Sequence, residues 1–166
     1  MMLNLPRRLR RNHALEHATI NLLTQQYAEA YIVGFSRVLG FTLYTNLATA
    51  DVVTAVTEAL RRLKAGQHEL AIHSNCGTGL IATAGLTTLG TLVSLGSPRM
   101  TLRQRIERFP TAVLINAVLI LLARPLGVWL QTHVTVDPHI AAAELASVFT
   151  VHQGKLQRIN VNIRYA

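Results

Sequence analysis

Cys76-Gly77-Thr78-Gly79-Leu80-Ile81-Ala82-Thr83-Ala84-Gly85-Leu86-Thr87-Thr88-Leu89-Gly90-Thr91-Leu92-Val93-Ser94-Leu95-Gly96 is the stretch on which the architecture of this chain turns. From Gly79 to Gly96 it carries no charged side chain. As a helix rising ~1.5 Å per residue it extends about 27 Å, just enough to cross the hydrocarbon core of a bilayer. A second apolar run, Thr111 to Leu130, is interrupted only near its end by Arg124-Pro125. There the guanidinium can reach the interface marked by Trp129. Between the runs, residues 98–110 hold Arg99, Arg103, Arg105 and Arg108, with Met100, Leu102, Ile106 and Phe109 at helical spacing, the pattern of an interfacial helix. The expected feature is a two-helix transmembrane hairpin over residues 78–130, with spans at 78–97 and 111–130 and a basic connector at 98–110.

Composition agrees with a membrane segment. Of 166 residues, 50% are apolar and 14% charged, against about 25% charged in ordinary soluble domains. The formal charge of +8 comes from 16 Lys and Arg against 8 Asp and Glu. Few aromatics accompany this charge and no nucleic-acid module is recognisable, so anionic lipid rather than nucleic acid is the expected partner. Gly85 and Gly90 would admit a close-packed helix from a membrane protein or a second copy. The lone Cys76 excludes an intrachain disulfide and hence a disulfide-stapled secreted domain.

Upstream of the hairpin, residues 1–11 form a basic leader, read as a solvated or lipid-touching tail. No apolar h-region follows it, so no cleavable signal is expected. Asn12 is placed to cap a helix reaching about Tyr27. Tyr31–Phe35 and Val38–Leu47 read as strands from their β-branched and aromatic content. A second helix begins at Thr49 or Asp51, presents Val52, Val53, Val56, Ala59, Leu60 and Leu63 at helical spacing, and ends on Arg61, Arg62, Lys64 and Gly66. Glu69–His73 reads as a short strand, giving α-β-β-α-β over residues 12–74. Downstream, residues 131–166 read as a polar turn and a β-hairpin about Gln153-Gly154. In it Ile159, Val161, Ile163 and Tyr165 alternate with Asn160, Asn162 and Arg164. The expected fold class is α+β, a small helix-on-sheet domain made from both ends of the chain with the membrane hairpin inserted.

The chemistry concentrates in Asn12-His13-Ala14-Leu15-Glu16-His17-Ala18. On a helix His13 and His17 stand one turn apart with Glu16 on the same side. Two imidazoles so spaced can bind one divalent cation, and the carboxylate can reach a metal-bound water. His73-Ser74-Asn75-Cys76 adds a second pair of zinc-type ligands. Four ligands would make a closed, structural zinc site; three would leave a water on which Glu16 could act as base. A thiol nucleophile at Cys76 assisted by His73, or a phosphate loop at Asn75–Gly79, fits less well: no orienting third group accompanies the first and no Walker lysine the second. His68, His133, His139 and His152 read as surface residues, with His133 the most plausible further ligand.

Several segments resemble an uncharacterised family of small bacterial membrane proteins, a domain of unknown function. They are Asn12–Ala18, Gly40-Phe41 before Tyr44-Thr45-Asn46, Ile72–Thr78, Ala123–Gly127 and His133-Val134-Thr135. This resemblance covers most of the chain and implies the architecture, membrane hairpin included, but no activity. The five residues His13–His17 also spell H-x-x-E-H, similar to the inverted zinc peptidases. That resemblance implies His13 and His17 as zinc ligands and Glu16 as general base. The acidic third ligand of those enzymes has no evident counterpart here, since the region where it would fall is the apolar run and the acids nearest to it are Glu69 and Glu107.

Two functions follow as expectations. One is a non-enzymatic membrane protein with a structural metal site; the other is a zinc-dependent, peptidase-like hydrolase at the membrane surface, using His13, His17, His73 and Glu16. The charge next to the first span and the lack of a signal peptide favour a cytoplasmic soluble part, although the four connector arginines pull the opposite way.

Overall fold

In the computed structural model, residues 5–73, 76–97, 99–153 and 156–165 are described. The chain divides into two compact units, Met1–His73 with Thr135–Ala166, and Ser74–Val134. The expected turn at Gln153-Gly154 reaches beyond the described residues at Gly154, as do Ser74 and Asn75 of the histidine–cysteine motif and Met1–Asn4 of the leader.

The first unit has the order α1 (Leu5–Gln26), β1 (Ile32–Arg37), β2 (Gly40–Thr45), α2 (Thr49–Lys64), a 3-10 turn (His68–Ala71), β3 (Ala143–Gln153) and β4 (Leu156–Tyr165). The four strands form one antiparallel sheet in the order β1-β2-β4-β3. The β2–β4 pairing, with Phe41 opposite Val161 and Leu43 opposite Ile159, joins the two ends of the chain at the centre of the sheet. Phe41, Leu43, Ile159 and Val161 are fully buried with Leu15 and Leu23 of α1 and Val52 and Val56 of α2. Each such side chain contributes about 1.5–3 kcal/mol on leaving water.

Helix α2 forms where its pattern predicts. Val52, Ala55, Val56, Ala59, Leu60 and Leu63 make one buried stripe, Asp51 lies in the first turn, and Arg61, Arg62 and Lys64 lie in the last. Gly66, at φ +89°, then takes a conformation that side chains disfavour, and the helix stops. Helix α1 differs from expectation at its start. It begins at Leu5 rather than after Asn12, so residues 5–11 of the leader are helical. Asn12 is buried and caps nothing: its amide donates to the carbonyls of Arg37 and Val38 at 2.8 and 3.0 Å and accepts from the Tyr165 hydroxyl at 2.8 Å. The leader arginines also have partners within this unit. Arg11 and Arg7 pair with Asp137 at 3.1 and 3.5 Å, and Arg8 and Arg11 lie 5.6 and 5.9 Å from the Tyr165 ring centre.

The segment expected as a strand at Glu69–His73 is a 3-10 turn. Its carbonyls are taken by side chains of α1: Asn21 donates to Leu70 and Ile72, each at 2.9 Å, and His17 bonds the Ala71 carbonyl at 2.8 Å. Backbone acceptors satisfied this way have no need of a ladder.

The second unit holds α3 (Gly77–Leu95) and α4 (Leu102–Leu130), followed by a π turn at Gln131–Thr135. Both helices are long and apolar enough to cross a membrane, and almost none of either apolar window is buried. They run antiparallel: Gly127 meets the backbone of Gly79, and Gly90 faces Leu119 and Asn116, whose amide donates to the Thr91 hydroxyl at 3.0 Å. Gly90 thus serves packing within the hairpin, while a methyl at Gly85 would meet open space. The connector is not a separate interfacial helix. A capping box between Thr101 and Gln104 starts α4 at Leu102, and the helix continues through Pro110 and Pro125. Leu102–Phe109 is therefore an exposed, arginine-bearing extension of the second apolar helix.

Candidate metal centre

The one-turn spacing of His13 and His17 places their rings side by side on α1, with centroids 4.2 Å apart. His17, only 2% exposed, also lies 5.8 Å from the ring of His73, where the chain leaves the first unit. Three imidazoles from two segments therefore come together in that unit, His17 buried and His13 and His73 half-buried.

Each ring is held through the same nitrogen. His13 Nδ1 donates to the Thr135 carbonyl at 3.0 Å, His17 Nδ1 to the Ala71 carbonyl at 2.8 Å, and His73 Nδ1 to Asn21 Oδ1 at 2.6 Å. A carbonyl oxygen only accepts, so these bonds put the proton on Nδ1 and the lone pair on Nε2 in the neutral ring. The Asn21 amide is oriented independently, because its NH2 group spans two backbone carbonyls and its oxygen must then face His73. This tautomer, fixed from behind by a carbonyl, is the one that presents Nε2 to a metal ion. Asn21 was not singled out from sequence, although it extends the four-residue spacing of His13 and His17 by one further turn.

Glu16 is 5% exposed and turns toward β1. Its carboxylate accepts a hydrogen bond from the Ser36 hydroxyl and packs where a side chain on Gly34 would otherwise stand. Cys76 is buried and caps the second unit's first helix, its sulfur accepting from the Thr78 N–H at 3.3 Å. His133 stacks on Trp129 at 5.0 Å and bonds the Trp129 carbonyl through Nδ1 at 2.9 Å.

The segment after the π turn is fastened along α1 near these histidines. Arg10 donates to the Val136 carbonyl at 3.1 Å, and Asp137 N–H donates to the Arg10 carbonyl at 3.1 Å. Burial alone would raise the Asp137 carboxyl, but the His139 N–H and ring and the Arg11 guanidinium together hold it below the usual carboxylate range. Burial pushes the Tyr165 hydroxyl, bonded to Asn12, up to about 12 despite the nearby arginines. It stays a donor at every physiological pH.

No solved structure matches this chain. An uncharacterized protein of Picosynechococcus, SYNPCC7002_A1392, is 38% identical over 90 residues, covering 48% of this chain and 43% of its own. The chain thus spans less than half the length of that relative. Residues 8–148 match the family described as a domain of unknown function, DUF6391, and since that match takes in both apolar helices and the histidine cluster, the chain belongs to this family.

Proposed function

We propose that this is a membrane protein whose helix-and-sheet unit is built around a structural zinc site. The observation that carries the reading is the set of three clustered imidazoles, each with its Nδ1–H committed to a carbonyl or amide oxygen. Such bonds set ring orientation before any metal arrives. Cys76 follows His73 by three residues, within about 10 Å along even an extended chain, and completes an all-nitrogen-and-sulfur donor set. Two imidazoles and a thiol, His13, His17 and Cys76, are donors that could hold one ion. Borderline and soft ligands of this kind favour zinc over magnesium or calcium. The site would stabilise the chain where it leaves the first unit for the apolar helices.

The apolar helices support the membrane part of the reading. Their windows are too exposed for core helices of a soluble protein, and neither lies at the N-terminus, where a signal sequence would. Anionic lipid headgroups are the partner for Arg99, Arg103, Arg105 and Arg108. Gly85, which faces open space, is where a further membrane helix would approach.

The hydrolase reading rests on the H-x-x-E-H spacing and on His13, which is less buried than His17 and so offers a way in. The engagement of Glu16 by Ser36 supports the structural reading instead. Elemental analysis of the full chain, purified in mild detergent, tests both. Wild type is expected to hold zinc stoichiometrically, and His13→Ala and Cys76→Ala to lose it and melt at lower temperature, since binding energy here contributes directly to folding. Glu16→Gln is expected to retain zinc. Absence of metal from wild type, or its retention after both His13 and His17 are replaced, overturns the metal centre. Peptide hydrolysis by wild type that Glu16→Gln abolishes while keeping zinc would favour the enzyme.

A further inference from the structure

A second histidine pair lies on the surface of the first unit, apart from the centre above. His68, the first residue of the 3-10 turn, and His139, between the π turn and β3, bring their ring centroids to 4.9 Å with planes inclined by 63°. His139 is 71% exposed at its side chain, yet it is held from behind. Its Nδ1 lies 3.1 Å from Asp137 Oδ1, and its backbone N–H donates to the same oxygen at 3.1 Å. Asp137 is itself fixed, through Oδ2 to Arg11 at 3.1 Å and through its N–H to the Arg10 carbonyl at 3.1 Å.

A carboxylate accepts and does not donate, so the neutral His139 ring carries its proton on Nδ1 and its lone pair on Nε2. This is the carboxylate–histidine arrangement that commonly backs a metal ligand. The distance fits as well. With a metal–nitrogen bond of about 2.0–2.1 Å, each ring centre stands about 3 Å from the ion, so two neighbouring imidazoles in one coordination shell have centroids about 5 Å apart.

We propose that His68 and His139, oriented by Asp137, bind one borderline divalent cation such as Zn2+ at the surface, with water completing the shell. Two protein ligands in an exposed place give weaker, exchangeable binding than a buried set of three or four. The site joins the turn just before the chain leaves this unit to the segment just after it returns, so metal there braces both crossings. It uses no residue of the His13, His17 and His73 centre and stands independently of it.

Titration of the untagged full chain in detergent with Zn2+, against a chromophoric chelator, tests the proposal. Wild type is expected to bind a second equivalent at least tenfold more weakly than the first. His68→Ala and His139→Ala should each abolish that weaker equivalent and keep the tighter one, whereas His13→Ala should keep the weaker. Because His139 is exposed, its replacement leaves the core intact, and His139→Gln serves as a second variant. A wild type from which neither His68→Ala nor His139→Ala removes any bound zinc, as expected if the rings merely pack edge to face, overturns the proposal. So does a weaker equivalent that survives either substitution. A single equivalent lost in His68→Ala and His139→Ala but kept in His13→Ala would support this site and sink the buried one.

Discussion

Asn21 holds two backbone carbonyls and an imidazole at once, and a half-buried amide so engaged has no neutral substitute. Leucine has the same branched heavy-atom skeleton but no polar atoms. Asn21→Leu would leave the Leu70 and Ile72 carbonyls without their donor and His73 without its acceptor. The expected loss is about 1–3 kcal/mol of unfolding free energy, read by thermal or denaturant melting. Zinc affinity should fall about 10–100-fold, as is usual when the group behind a ligand is removed. Unchanged affinity would mean that His73 is not a ligand. Glu16 shows the same logic with opposite sign: with a hydroxyl on its carboxylate and the sheet's Gly34 against it, it is as well explained by packing as by chemistry.

Among the elements, the β1–β2 hairpin depends on one backbone position. Gly40 has φ +148°, and a methyl there would collide with the Val161 carbonyl of β4. Backbone on the neighbouring central strand cannot swing aside as a side chain could. Gly40→Ala is therefore expected to cost about 3 kcal/mol from strain and clash together, seen as a lower denaturant midpoint with an unchanged slope. A neutral substitution would show that this register is not the one adopted. In the other unit, the capping box at Thr101 and Gln104 explains why α4 extends well before its apolar run, and the first proline inside it does not end the helix. The arginines of residues 99–108 are then carried largely by a helix that continues the second apolar run, rather than by one lying separately on the surface.

At the scale of the whole molecule, the proposed hairpin would put both ends of the chain on one side of the bilayer. With the helix-and-sheet unit cytoplasmic, the loop after α3 faces outward, and a cysteine placed at the exposed Ser97 should react with a membrane-impermeant maleimide added to intact cells. A cysteine at the exposed Ala65 should react only after the cells are opened. Native Cys76 is buried and can remain in place. Labelling in the reverse pattern would invert the topology, and labelling of both from outside would argue against a membrane-spanning hairpin.

What the sequence by itself determined was whatever depends on near neighbours along the chain. The stripe of Val52, Val56, Leu60 and Leu63 specifies α2, the alternation from Ile159 to Tyr165 specifies β4, and the uncharged run from Gly79 specifies a long apolar helix. These periods are local, and so are the spacing that sets His13 beside His17 and the α+β class that follows from the elements together. Tertiary structure alone decided the rest. The pairing of β2 with β4 spans more than a hundred residues, and no local pattern encodes it. Glu69–His73 has strand-like side chains, but a buried histidine and a half-buried asparagine on α1 claim its carbonyls and bend it into a turn. The helical leader, with Asn12 buried in mid-helix rather than capping it, is likewise fixed by partners distant in sequence, Asp137 and Tyr165. Hydrogen-bond partners and burial are properties of the folded arrangement, whereas periodicity is a property of the chain.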